Sequence, residues 1–240
     1  MIKKFGAVAL VGSGEFLQPI EELDRLLLER LGEPGRVAIL PTASAPDGNR
    51  VPKRWAEMGV RHFKKLGAEA QAVMVLNRSE ADSTQMAAQI SECNFVYLSG
   101  GKPQYLLQTL KDTACWQAIK GVYENGGGVV GCSAGAMALA GYLPGFPPFF
   151  RSEKALGLVP GLVVIPHFDE IPGWLSGISR FSSRNGTIVG VEGSTGLICS
   201  GEEWLVLGRK GVTLFSNKGK RRFESGDRLP LSSRNATIVT

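Results

Sequence analysis

The chain has few groups able to do covalent chemistry, and one serine stands in the right company for it. Gly131-Cys132-Ser133-Ala134-Gly135 fits the G-x-S-x-G pattern of a nucleophile elbow. An apolar run, Gly128–Cys132, precedes the serine and a small-residue helical run follows it, the strand–turn–helix setting this pattern requires. Gly131 and Gly135 allow a tight turn, while Ala134 and Ala136 leave the serine unobstructed. The N–H groups that open the helix favour a developing oxyanion. Such a serine needs a base, and the chain has only two histidines. His62 lies in a helical run beside Arg61, Lys64 and Lys65, which reads as a solvated surface. His167 follows Leu162-Val-Val-Ile165 and Pro166, at the carboxyl end of a predicted strand. That is the edge where open α/β sheets place their sites, and Ser133 shares it.

A third segment, Tyr97-Leu-Ser-Gly100-Gly101-Lys-Pro103-Gln104, puts paired glycines after a strand and before a helix. One of their N–H groups would complete an oxyanion hole with the N–H of Ala134.

The elements that must hold these groups read as βα units. Short apolar runs at Phe5–Val11, Arg36–Leu40, Ala70–Leu76, Asn94–Leu98, Gly128–Cys132 and Leu162–Ile165 are the predicted strands. Amphipathic stretches at Pro19–Leu31, Val51–Leu66, Asp82–Glu92 (Asp82 as N-cap), Pro103–Leu110 and Ala114–Asn125 are the predicted helices. This pattern predicts a three-layer, doubly wound α/β fold of the flavodoxin-like kind with a mostly parallel sheet. After His167 the texture changes: Ile171–Arg184 carries prolines and glycines in a helix-like stretch. From Thr187 onward, short apolar runs split by glycine-rich turns predict antiparallel ribbons. No linker or repeat interrupts the chain, so the reading is a single domain over 1–240, with its core at about 5–200 and a β-rich tail at about 187–240 extending the sheet.

Composition narrows the class. With 240 residues, 43% hydrophobic and 20% charged, the chain can bury a sizeable core. No apolar run is long enough for a membrane-spanning helix. The opening Met-Ile-Lys-Lys and the seven apolar residues after it lead into Gly12-Ser-Gly14, as a buried first strand would, rather than into a signal-cleavage site. The net charge of +5 is mild, and its densest cluster (Lys218, Lys220, Arg221, Arg222) reads as a solvated hairpin. Four widely spaced cysteines, with no CxxC pair, read as thiols in a reducing cytoplasm. The expectation is thus a cytoplasmic globular protein. No cofactor, metal, nucleic acid or membrane is called for, and the oligomeric state is open, a homodimer being one option.

Taken together, Gly12-Ser-Gly-Glu15, Ser99-Gly-Gly-Lys-Pro-Gln104, Gly131-Cys-Ser-Ala-Gly-Ala136 and Pro166-His167-Phe168 resemble the S51 peptidases, the aspartyl dipeptidase and cyanophycinase group, within the class I glutamine-amidotransferase-like fold. The resemblance implies a serine nucleophile, a histidine base and an acid between them in sequence, cleaving peptides at acidic residues. Ser133, His167 and the oxyanion donors Gly101 and Ala134 take these roles, with Gly100, Gln104 and Arg151 beside the substrate. Glu153 is the only acid between Ser133 and His167, so it is the first choice for the third member. Asp169 is the second, resembling the His-x-Glu pairing of glutamine amidotransferases, because an i, i+2 pair on a strand shares a face. Glu192 stands where related sequences resemble Gly-Ile-Asp-Glu. Arg151, Arg180 and Arg184 are the candidate grips for an acidic substrate. The Asp-Gln and arginine pattern flanking the histidine of cyanophycinases is missing, which argues against cyanophycin itself.

Two alternatives stay open. A glutaminase-type amidotransferase needs a cysteine at the elbow apex, whereas Cys132 lies one residue early. A non-catalytic or sensor protein on the same fold would keep the turn without the chemistry. A dinucleotide site fails, since Leu17 stands where the third glycine of G-x-G-x-x-G would be.

Overall fold

The computed structural model describes residues 6–144, 152–171, 186–201, 203–216 and 219–232. Five parallel strands form its centre: β1 (Ala7–Val11), β2 (Arg36–Leu40), β3 (Glu69–Ala72), β4 (Phe95–Leu98) and β5 (Gly128–Cys132). They lie in the order β1-β5-β4-β2-β3. Between them run α1 (Gln18–Arg30), α2 (Arg50–Lys65), α3 (Arg78–Ala81), α4 (Thr84–Ser91), α5 (Pro103–Leu110) and α6 (Ala114–Glu124). The short α7 (Ala134–Leu139) follows β5.

The strands are apolar throughout because both faces are covered. Ala7, Ala9 and Val11 of β1 join Val37, Ile39, Phe95, Tyr97 and Val130 in one core under α1 and α2. Val8 and Leu10 point the other way, into a larger core with Leu98, Leu106, Trp116, Ile119 and Leu139. A period of two thus divides each strand between two layers.

The fold is the expected mixed α/β layer, with differences at its margins. The third strand ends at Ala72 and not Leu76: its last ladder pair is Ile39 with Ala72, and past Val73 the chain turns, the Val75 N–H donating back to Val73 O. Asn77 then caps α3 in a capping box with Glu80, and Asp82 ends that helix. The N-cap of α4 is Ser83, whose hydroxyl accepts the N–H of Met86. His62 is not on a solvated surface. It is buried, with Nε2 2.8 Å from Oδ2 of an equally buried Asp24 on α1. Burial pushes the Asp24 carboxyl up, against the pull of His62.

The tail does more than extend one sheet. After α7 come β6 (Ala140–Leu143), β7 (Glu153–Lys154), β8 (Val159–Ile165), β9 (Thr187–Val191), β10 (Thr195–Ser200), β11 (Glu203–Gly208), β12 (Gly211–Ser216), β13 (Gly219–Glu224) and β14 (Arg228–Leu229). β10 pairs antiparallel with β1, and β11 and β14 continue outward from it. The others form a second sheet, in the order β13-β12-β9-β8-β6-β7. Tight turns at Ser194 and at Arg209-Lys210 carry the chain from one sheet to the other, so the tail supplies strands to both.

Glycine contacts fix how closely these layers approach. A Cβ on Gly135 would lie 2.3 Å from the carbonyl oxygen of Leu98, whereas one on Gly121 in α6 meets nothing within 4 Å. Gly135→Ala should therefore cost about 1–3 kcal/mol through a forced backbone shift. Gly121→Ala should be neutral or stabilise by up to ~1 kcal/mol. Urea unfolding of the two variants checks the contrast.

Candidate active site

Strand β5 delivers Ser133 to the carboxyl edge of the sheet, where its N–H donates to Val11 O at 2.9 Å. Its backbone stands at φ 50° and ψ −108°, a sparsely populated region that costs about 1–3 kcal/mol for a residue with a side chain. Its flanks hold it there. A Cβ on Gly131 would lie 2.4 Å from the Gly135 carbonyl carbon, so strand and helix touch backbone to backbone. This is the strained, half-buried serine of a nucleophile elbow.

The histidine comes from the other sheet. β8 ends at Ile165, and His167 turns left-handed (φ 51°, ψ 35°) into a 3-10 turn, Phe168–Glu170. Two anchors fix this turn. The Phe168 ring fills the place a Cβ on Gly190 would take and packs edge-on against Phe215. Asp169 accepts the Gly193 N–H at 2.7 Å and the ammonium of Lys210. So held, His167 places Nε2 3.0 Å from Ser133 Oγ.

The carboxylate nearest the other ring nitrogen is neither of the expected acids. Glu170 Oε1 lies 3.5 Å from His167 Nδ1, the outer limit of a hydrogen bond, with both side chains partly in solvent. Glu153, the first choice, accepts from Gln104 Nε2 at 2.7 Å. Asp169, the second, is turned away to Gly193 and Lys210. An i, i+2 pair shares a face only along an extended chain, whereas the left-handed turn at His167 brings i+3 to the imidazole instead. With a carboxylate at Nδ1, the Nδ1–H tautomer leaves Nε2 free to accept the serine proton. Glu192 is also engaged, accepting two guanidinium bonds from Arg222, at 2.6 and 2.8 Å, and the Gly211 N–H.

The glycine pair lies beside the nucleophile. A Cβ on Gly100 would sit 3.4 Å from Ser133 Cβ. Three of four successive amides here have partners: Ser99 N donates to Leu40 O, Gly100 N to Glu15 Oε1, and Lys102 N to Ala43 O. The Gly100 amide is therefore occupied by Glu15, while the Gly101 N–H has no acceptor among the described residues. Gly101 stands at φ 143°, with Ala43 O only 2.3 Å from where a Cβ would be. Ala134 contributes the first N–H of α7, which has no acceptor within the helix. Cys132 is no rival nucleophile, because its thiol is fully buried, donates to Glu15 Oε2 at 2.9 Å, and is pushed well up by burial. Arg151, Arg180 and Arg184 lie outside the described residues. A groove of about 550 Å³ lined by Arg36, Asn94 and Gln117 opens at the amino ends of the strands, away from this chemistry.

An elbow serine hydrogen-bonded to a histidine beside free backbone amides is the machinery of acyl transfer. A sequence profile of peptidase family S51 matches residues 8–206. The chain belongs to that family. It is a serine peptidase, a hydrolase acting on peptide bonds. The cyanophycinase of Trichormus variabilis is 28% identical over 223 residues, covering 87% of this chain and 72% of the relative. That of Geminocystis herdmanii is 26% identical, covering 77% and 73%. A peptidase from an acI-B1 Actinobacterium superposes with a TM-score of 0.86 at 28% identity, over 95% of this chain and 97% of that one. A putative peptidase E protein from Listeria monocytogenes (TM-score 0.62, 18% identity, 86% and 100% covered) shares the fold. No described helix is long and apolar enough to cross a membrane.

The clamps behind the histidine make stability sensitive to acid. Partial burial opposes the charge of Asp169, but Lys210 and the Gly193 N–H outweigh it and hold the carboxyl below its usual range. Arg222 chiefly, with Gly211, does the same for Glu192. A carboxyl depressed in the folded state stabilises above its unfolded pKa, and that stability is lost as the pH falls through the folded value. Stability should therefore drop below about pH 4, with Glu192→Gln narrowing the difference between pH 7 and pH 3 in chemical denaturation.

Proposed function

We propose that the chain hydrolyses short peptides at acidic residues, with Ser133 as nucleophile, His167 as general base and acid, and Glu170 as the carboxylate behind it. The 3.0 Å contact between Ser133 Oγ and His167 Nε2, made by a serine held in the elbow conformation, carries this reading. His167 takes the hydroxyl proton as Oγ attacks the scissile carbonyl. The negative charge that develops on the carbonyl oxygen is met by the N–H groups of Gly101 and Ala134. His167 then returns the proton to the leaving amine, and water, deprotonated by the same imidazole, cleaves the acyl-enzyme. Glu170 stabilises the imidazolium and keeps the tautomer; being exposed, it contributes less than a buried triad acid.

Family membership supports the substrate class, and Arg151, Arg180 and Arg184 are the candidate partners for the substrate carboxylate. Gln104, three residues after Gly101, donates to Glu153. The pattern expected around the histidine of a cyanophycinase is missing from this chain, so short aspartyl peptides are the better fit.

Ser133→Ala should lower hydrolysis by several orders of magnitude without unfolding the protein. Glu170→Gln should lower kcat by at least about tenfold, while Glu153→Gln changes it less than about threefold. The opposite order would return the acid's role to Glu153. A dipeptide screen should show Asp-Xaa cleaved faster than Ala-Xaa or Lys-Xaa, with cyanophycin barely touched, and equal rates for Asp-Xaa and Ala-Xaa would overturn the acidic preference. Removing the arginine that binds the substrate should cut kcat/KM about 10–150-fold.

A further inference from the structure

Glu15 is a carboxylate only 6% exposed, and it forms no ion pair with any described residue. A buried carboxylate without a cation is costly unless hydrogen bonds hold it. Its two oxygens take one donor from each side of the reaction centre. Oε1 accepts the Gly100 N–H at 3.0 Å, and Oε2 accepts the Cys132 thiol at 2.9 Å. Gly100 immediately precedes Gly101, and Cys132 immediately precedes Ser133. From this geometry we infer that Glu15 is a positioning residue for the oxyanion hole, setting the loop that carries Gly101 against the elbow that carries Ser133 and Ala134.

With the amides of Ser99, Gly100 and Lys102 tied to Leu40, Glu15 and Ala43, the peptide between Gly100 and Gly101 is fixed from both ends. Only the Gly101 N–H is left to face the reacting oxygen. Two of those anchors are backbone carbonyls of the scaffold, while the third is a side chain. Glu15 itself enters from the turn after β1, at the close approach where a Cβ on Gly12 would lie 2.2 Å from Glu192 O. The buried cysteine just before the elbow serine thereby gains a use, since a thiol is a donor small enough to lie under the turn and hold the second oxygen. The carboxylate touches no substrate and transfers no proton. It acts through the direction of one N–H.

This inference rests on the serine-peptidase reading above, and three variants separate the two. Glu15→Met keeps the volume but removes the acceptor, while Glu15→Gln retains an oxygen for the Gly100 N–H. The expected result is a fall in kcat of about 10- to 100-fold for Glu15→Met with KM within about twofold of wild type. Glu15→Gln should recover most of the lost rate. Wild-type kcat in Glu15→Met, or a Glu15→Gln as slow as Glu15→Met, overturns the proposal while Ser133→Ala remains inactive. If Ser133→Ala retains activity, the underlying reading fails instead. Amide exchange of the wild-type protein decides the matter even if a variant does not fold. The Gly100 N–H should exchange slowly and the Gly101 N–H quickly; a Gly100 amide exchanging as freely as an open loop overturns the role of Glu15.

Discussion

The close approach of backbone to backbone around Gly131, Gly135 and Leu98 is the constraint from which the site follows. A strained serine is stable only where its surroundings leave it no alternative. Here β5 must stop, reverse into α7 and pack that helix onto β4 within a few residues, and any side chain on either flanking glycine would strike a carbonyl. Ser133 takes the conformation that remains. Its Oγ is thereby brought within 3.0 Å of His167 Nε2. The helix is short and made of small residues because it fills a narrow gap and does not supply a broad apolar face.

The second half of the site is built differently. His167 sits on a turn after β8 in a separate sheet, and side chains hold that turn. Phe168 fills the hollow over Gly190, and Asp169 ties the turn to Gly193 and Lys210. Serine and histidine thus come from two layers that meet through the shared core. The strands that join them, β9 to β12, come from the tail, so the segment that looks peripheral in sequence is what places His167 against Ser133.

Much of this was legible beforehand because it depends on local pattern. The elbow, the glycine pair and the apolar runs of β1, β2, β4 and β5 are set by residues within one turn or strand. The contact behind His167 was less legible. It depends on the left-handed backbone at His167, which turns the chain so that Glu170 and not Asp169 reaches Nδ1, and nothing in the neighbouring residues specifies that backbone. His62 was misread for a related reason: its neighbours on α2 are basic and exposed, while the group that justifies its burial, Asp24, lies on a different helix. The division of the tail between two sheets likewise rests on long-range pairing, since each ribbon alone would fit either sheet.

That Asp24–His62 pair has a consequence for how the sequence can drift. Each member is tolerable in the apolar layer beneath α1 and α2 only because the other is present, so replacing one alone strands a polar group in an environment that cannot hydrate it. The two positions are therefore locked into a single evolutionary step. Descendants of this chain can keep both or exchange both for apolar residues that fill the same space, and intermediates carrying one should be rare.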